Sequence, residues 1–254
     1  MKNRFLLLTA AFGIATSCQA PYSLRQVSPE KNIALTADLP ESKTFIDVIA
    51  PYKKEVEGQM NQKISYTPIE LNKQGDNSNL GNLLADYTFE GANAWAKQNG
   101  IPNGVDAAVI NIGGIRSIIG AGDILTKHVF EVMPFENEIV IVKLEGDDLD
   151  GLFEYYLKTK RNNPVANLYI ETDGDKITKR LINGKEIDED RDYYIATSDY
   201  LALGGDNMTY FGEGEMISTG IRLRELFMEK FKATPSVKAP TDIRLNFKNK
   251  KNQD

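Results

Sequence analysis

Three short apolar runs in this chain abut turns built on glycine or proline, and that repetition constrains the fold more than anything else in the sequence. "VDAAVINI" at residues 105–112 leads into "GGIR", "MPFEN" at 133–137 leads into "EIVIVKLEG", and "YYIATSDYL" at 193–201 leads into "ALGGDN". Runs of this length, rich in β-branched residues and bounded by turn formers, read as strands. Each turn also presents an aromatic, amide or charged residue. Singly, each has a plain explanation: a double glycine makes a tight turn, and an aspartate after it closes one.

Helical periods separate the strands. Phe45, Val48, Ile49, Tyr52, Val56 and Met60 recur at helical spacing over residues 44–60, and Leu80, Leu83, Leu84, Tyr87, Ala94 and Trp95 do so over 80–97. "KISYTPIEL" between them alternates like a strand. A further helix is expected over 149–160, then a hairpin in "NLYIETDGDKITKRLINGKEI" with turns at Asp173-Gly174-Asp175 and Asn183-Gly184. Ser218-Thr219 is expected to cap a helix over 220–232. The chain thus reads as mixed helices and strands, without a choice of layering.

The first residues, "MKNRFLLLTAAFGIATSCQA", combine Lys2 and Arg4 with an apolar stretch too short to span a bilayer comfortably, the pattern of an export signal. Cys18 is the only cysteine, which excludes an intrachain disulfide. Its setting resembles a lipoprotein cleavage site. Simple secretion with cleavage after Ala20 is the alternative, and a buried structural thiol a third. The expected organisation is a lipoprotein-type signal at 1–17, a polar tether at 18–40, one folded domain at 41–248 and a polar tail at 249–254. The protein is thus expected to be exported to the cell envelope and held at a membrane only through a lipid anchor. A formal net charge of −6 argues against nucleic-acid binding, which needs a basic face.

Taken together, the three turn motifs resemble the C-terminal, substrate-binding domain of the 5'-nucleotidase and UDP-sugar hydrolase family. That domain carries a run like "NGGGIR", then a "PF" turn followed by asparagine or glycine, then an aromatic-bearing loop ending in "GGDG". "SNLGNLLAD" at 78–86 adds to the likeness, as does "GDILTKHVFEVMPFENEIVIVKLEGDDL" as a whole, so that the resemblance covers residues 44–211. It implies a four-layer α/β/β/α sandwich in a single domain.

For individual residues, the resemblance implies a nucleotide or nucleoside site. Phe135 and Tyr200 would sandwich the base, Asp206 would receive the ribose hydroxyls, and Asn111 and Asn137 would hydrogen-bond base or sugar. Arg116 would reach phosphate, for which a guanidinium fork is suited. Gly113, Gly114, Gly204 and Gly205 would let backbone approach the ligand. The chain departs from the family where arginines usually precede the "SxxGNL" run; here the stretch is "NKQGDN", with Lys73 and Asp76. The third motif ends in "GGDN", and Ser198 replaces an asparagine.

The full-length family hydrolyses phosphate esters in a separate N-terminal metallophosphatase domain with two metal ions. This chain has a single histidine, His128, expected on a short helix rather than as a ligand. No cofactor is therefore expected here, and divalent metals are expected on a partner metallophosphatase chain. The implied function is the substrate-binding half of a split 5'-nucleotidase. Its rivals are a lipoprotein that only captures nucleosides or nucleotides, and a scaffold whose ligand site has decayed.

Overall fold

The computed structural model describes residues 32, 34–36 and 38–250. The expected signal segment and Cys18 lie outside them, as do most of the tether and the last four residues. The chain divides into two compact units, Met1–Ile49 and Ala50–Asp254. Helix α1, Lys43–Met60, has the expected span but buries no side chain, and Pro51 lies inside it. Phe45 is 72% exposed and Tyr52 70%. Helical spacing groups apolar residues on one side; it does not supply a neighbour to cover them.

The second unit is organised around a mixed five-stranded sheet. Its strands are β2 (Ala107–Val109), β4 (Glu138–Glu145), β5 (Val165–Ala166), β8 (Asp192–Ser198) and β9 (Glu215–Arg222), in the order β5-β2-β8-β4-β9. β4 lies between β8 and β9, antiparallel to both, which explains its nearly unbroken apolar run. Alternation along the strands divides the core in two. Ile139, Ile141, Ala108 and Ala196 face a cluster shared with helices α2 (Asn79–Gln98) and α6 (Leu223–Ala233). Val140, Val142, Val109 and Ile195 face the other cluster. That second cluster includes Phe153 and Tyr156 of helix α4 (Leu149–Thr159) and Ile170 and Leu245 of a three-stranded sheet. The latter sheet has the order β10-β6-β7, from Leu245–Lys248, Leu168–Asp173 and Lys176–Ile182. The result is a single α/β domain of mixed sheets and helices.

Close packing is visible where α2 meets α6. A Cβ on Gly91 would stand 2.6 Å from Leu226, and the rings of Tyr87 and Phe231 meet edge to face at 5.5 Å. Arg244, 8% exposed, fastens the C-terminal segment to α2. Its guanidinium donates to both carboxylate oxygens of Asp86, at 2.7 and 2.9 Å, and to the Val165 carbonyl. "SNLGNLLAD" is therefore structural at its end: Asp86 anchors an ion pair.

One expected boundary is corrected. Ser218 and Thr219 lie within β9, and the helix starts at Leu223. The Ser218 hydroxyl donates to the Glu138 carboxylate, and Thr219 to the Ile139 carbonyl at 2.6 Å. The register shifts there, and Gly220 takes φ 72° with its N–H on Glu138 Oε1. This β-bulge interrupts the alternation that would have marked a strand. Two further strands carry no clear sequence signal: β10, and β3 (Gly122–Leu125), which pairs with β1 (Lys63–Thr67). His128 is on helix α3, Thr126–Val132, and its Nδ1 accepts the Leu125 N–H at 3.2 Å. It caps a helix.

Candidate functional site

Sheet topology brings the three turn motifs together. β2 and β8 are parallel neighbours, so their C-terminal ends share one edge of the sheet. β4 is antiparallel to β8, with Ile139 opposite Ser198, so its beginning lies at that same edge. The segments at 111–116, 133–137 and 199–206 consequently converge. Between them is a cavity of about 590 Å³, lined by Asn111, Gly113, Gly114, Arg116, Phe135, Glu136, Asn137, Tyr200 and Asp206. Of the site residues read from the sequence, Gly204 and Gly205 are missing from that wall.

The first segment is shaped by Asn111. It precedes a 3-10 turn, Ile112–Gly114, and its side chain folds over Gly114, where a Cβ would meet Asn111 Oδ1 at 2.8 Å. Gly114 is thus required by a close approach rather than by backbone angle. Gly113 has no such neighbour; a Cβ there would be 3.8 Å from Asn111 Nδ2. Arg116 is exposed, anchored by its N–H to the Val132 carbonyl, and its Nη1 donates to the Gly113 carbonyl at 3.2 Å. Lys73 reaches the same loop from outside the cavity and donates to the Ile115 carbonyl at 2.7 Å.

On the second segment Phe135 is 43% exposed, although it is a large apolar side chain. Its neighbour Glu136 is paired with Arg222 and Arg224, and the hydrogen bond from Arg224 holds its carboxyl below the usual range. Asn137 donates from Nδ2 to Asp199 Oδ1 at 2.8 Å, and the same oxygen accepts the Tyr200 N–H at 2.7 Å. The second and third segments are thereby tied to each other.

On the third, the Ser198 hydroxyl accepts the Leu201 N–H and caps the short helix α5, Asp199–Ala202, which explains how serine serves at that position. Gly204 has φ 89°, a conformation that favours glycine. Gly205 lies beneath Tyr200: a Cβ would stand 2.6 Å from two ring carbons. Asp206 has φ 52°, and its Oδ1 accepts the Tyr200 hydroxyl at 3.1 Å while its N–H donates to that hydroxyl at 3.2 Å. Asp206 Oδ2 is buried and accepts no well-aligned hydrogen bond, with Arg161 Nη1 3.3 Å away.

Arg161 belongs to a segment outside the three sequence motifs, "RNN" at 161–163. Asn163 is fully buried; its Oδ1 accepts the Ile112 N–H at 2.9 Å and its Nδ2 donates to the Tyr155 hydroxyl at 3.0 Å. Asn162 Nδ2 donates to the Gly75 carbonyl at 2.8 Å. Only its composition, polar residues between a helix and Pro164, could have signalled it.

A second groove of about 560 Å³, beside α4, includes Asp147, Asp148, Glu154 and Glu213. Among the described residues, no group of three or more histidine, cysteine, aspartate or glutamate side chains is arranged to hold a metal ion. Nor, among them, is any helix long and apolar enough to cross a membrane.

The family model for the 5'-nucleotidase C-terminal domain matches residues 56–213. The chain is 29% identical to Protein UshA of Yersinia enterocolitica over 191 residues, which cover 69% of this chain and 32% of that protein. It is 32% identical over 220 residues to the trifunctional nucleotide phosphoesterase protein YfkN of Bacillus subtilis, covering 78% of this chain and 14% of that one. A 5'-nucleotidase precursor from Thermus thermophilus superposes with a TM-score of 0.67 at 26% identity, over 84% of this chain and 44% of the other. The chain thus spans a third or less of the length of these two curated relatives.

Proposed function

This chain belongs to the 5'-nucleotidase C-terminal domain family, and from that membership we propose that it is the nucleotide- or nucleoside-binding half of a split 5'-nucleotidase. A separate metallophosphatase chain would supply the divalent metals and the hydrolysis of the phosphate ester. The observation that supports this reading is the convergence of two exposed aromatics, an aspartate and an arginine on one cavity. Phe135 and Tyr200 offer π-faces for a base, and base stacking is worth about 1–3 kcal/mol per base. Asp206 offers carboxylate lone pairs to sugar hydroxyls. Arg116, on the first loop, offers the guanidinium fork to a phosphate. The remote base and sugar would then hold the phosphate where a partner's metals can act on it, a use of binding energy for positioning. We read the protein as exported and lipid-anchored through Cys18.

Calorimetric titration of the full-length chain with adenosine and AMP, repeated with Tyr200→Ala, tests the site. Binding is expected, and the substitution should abolish or strongly weaken it. Failure of the wild-type chain to bind either compound would refute the reading. Addition of candidate metallophosphatase chains to AMP, with and without this chain, tests the split: hydrolysis should depend on both.

Capture without hydrolysis is the alternative reading, and one arrangement favours it. Lys73 is engaged by the Ile115 carbonyl and Asp76 by Lys250, so Arg116 is the sole cationic side chain of the cavity wall among the described residues. A capture protein has little need of phosphate.

A further inference from the structure

Five polar side chains connect the first loop of the cavity with the third. Asn163, fully buried, accepts the Ile112 N–H of the first loop and donates to Tyr155. The Arg161 guanidinium feels both Tyr155 and Asp206, and its Nη1 stands 3.3 Å from Oδ2 of Asp206. Asp206 completes the connection to the Tyr200 hydroxyl through Oδ1, at 3.1 Å. Burial works against the charged Arg161, yet Asp206 and Tyr155 together hold its guanidinium protonated above its usual range. Its side chain remains 51% exposed, against 18% for Asp206.

The two carboxylate oxygens of Asp206 are therefore unequal. Oδ2 is covered and lies against Arg161; Oδ1 accepts the hydroxyl of Tyr200, and both residues line the cavity. Asp206 also takes a left-handed backbone conformation, uncommon for a non-glycine residue, and Asn207 beside it has φ 64°. A carboxylate on such a turn can rotate about its side-chain bonds unless something fixes it. Arg161 supplies that restraint on one face and the Tyr200 hydroxyl on the other.

We propose that Arg161 is a positioning residue that sets sugar specificity: by capping Oδ2 of Asp206 it presents Oδ1 to ligand hydroxyls, so that the site selects nucleosides whose sugar carries them. This inference rests on the nucleoside-binding reading above. Arg161 acts through Asp206, so its effect belongs to the sugar hydroxyls and not to the base. A residue that merely supported the loop would weaken every nucleoside alike.

The test is calorimetric titration of the full-length chain with adenosine and with 2',3'-dideoxyadenosine, for wild type, Arg161→Ala and Arg161→Lys. Wild type should prefer adenosine. Arg161→Ala should weaken adenosine about tenfold, equivalent to about 1.4 kcal/mol, and change dideoxyadenosine by less than about twofold. Arg161→Lys, which keeps the charge, should recover most of the loss. Equal weakening of both ligands, no change in either, or tighter adenosine binding in Arg161→Ala would overturn the proposal; the last would mark Arg161 as a competitor for the carboxylate. Wild type binding both nucleosides equally would overturn it and leave the nucleoside-binding reading standing. Binding of neither would remove both.

Discussion

The ring of Tyr200 rests directly on the backbone of Gly205, so close that a Cβ there would stand 2.6 Å from the ring and 2.5 Å from the Tyr200 carbonyl oxygen. Gly205 thus acts on the cavity from beneath, by permitting the pose of an aromatic residue. Gly205→Ala should displace the ring and weaken adenosine by about tenfold or more, within the ~1–3 kcal/mol range of one stacking partner. The loop is at the surface, so the melting temperature should shift by only a few degrees. Titration beside a thermal melt checks this, and unchanged affinity would show that the Tyr200 pose does not matter.

Arg116 and Phe135 line the same cavity from different loops and should separate phosphate from base. Arg116→Ala is expected to weaken AMP by roughly 1.5–3 kcal/mol, the size of hydrogen bonds to a charged group, with adenosine almost unaffected. Phe135→Ala should weaken both by about 1–3 kcal/mol. Parallel titrations of the two ligands distinguish these patterns. Equal losses on Arg116→Ala would argue against a phosphate contact.

Arg244 offers a stability test remote from the cavity. Its guanidinium is buried between Asp86 and Asp242, and burial raises the Asp86 carboxyl despite the arginine's opposing pull. Removing the arginine leaves two partly exposed carboxylates uncompensated, which costs less than the ~3–5 kcal/mol typical of a fully buried pair because solvent screens them. Arg244→Met should therefore lower the urea midpoint, and Arg244→Met with Asp86→Leu should recover part of the loss. A single substitution without effect would show that the ion pair contributes nothing net.

Acid should loosen the three-stranded sheet through Glu171. The Lys248 ammonium foremost, with the Thr178 and Tyr169 hydroxyls, holds its carboxyl down to about 2. A carboxyl lowered in the fold contributes stability that is complete above its unfolded value. That contribution fades as pH falls toward and through the folded value, here between about 4.5 and about 2. Glu171→Gln should melt lower at neutral pH and show a flatter decline across that acid interval. Parallel wild-type and variant profiles would contradict it.

Legibility varies with how local the physics is. β4 and the turns at Asp173-Gly174 and Asn183-Gly184 can be read because apolar runs and turn residues act over a few positions. The cavity is legible only through resemblance, since its walls come from segments separated by up to 95 positions and meet through strand order. The end of β9 reads as a helix start because the bulge at Gly220 mimics the polar and glycine signals of one. Arg161 is invisible for a different reason: its partner is 45 residues away, and nothing about an arginine in a loop names its carboxylate. Gly205 reads as a point of ligand approach, whereas the fold puts it under a ring, a distinction that needs three dimensions.

Helix α1 carries a consequence for how the protein meets a protease. None of its side chains belongs to either core cluster, and Pro51 leaves the Asp47 carbonyl without the N–H that an unbroken helix would offer. Opening this helix exposes no core residue, so it should unwind on its own far more often than the sheet does. Trypsin should find Lys43, Lys53 and Lys54 early, and the fragment released from the C-terminal side should keep the melting temperature of the parent chain.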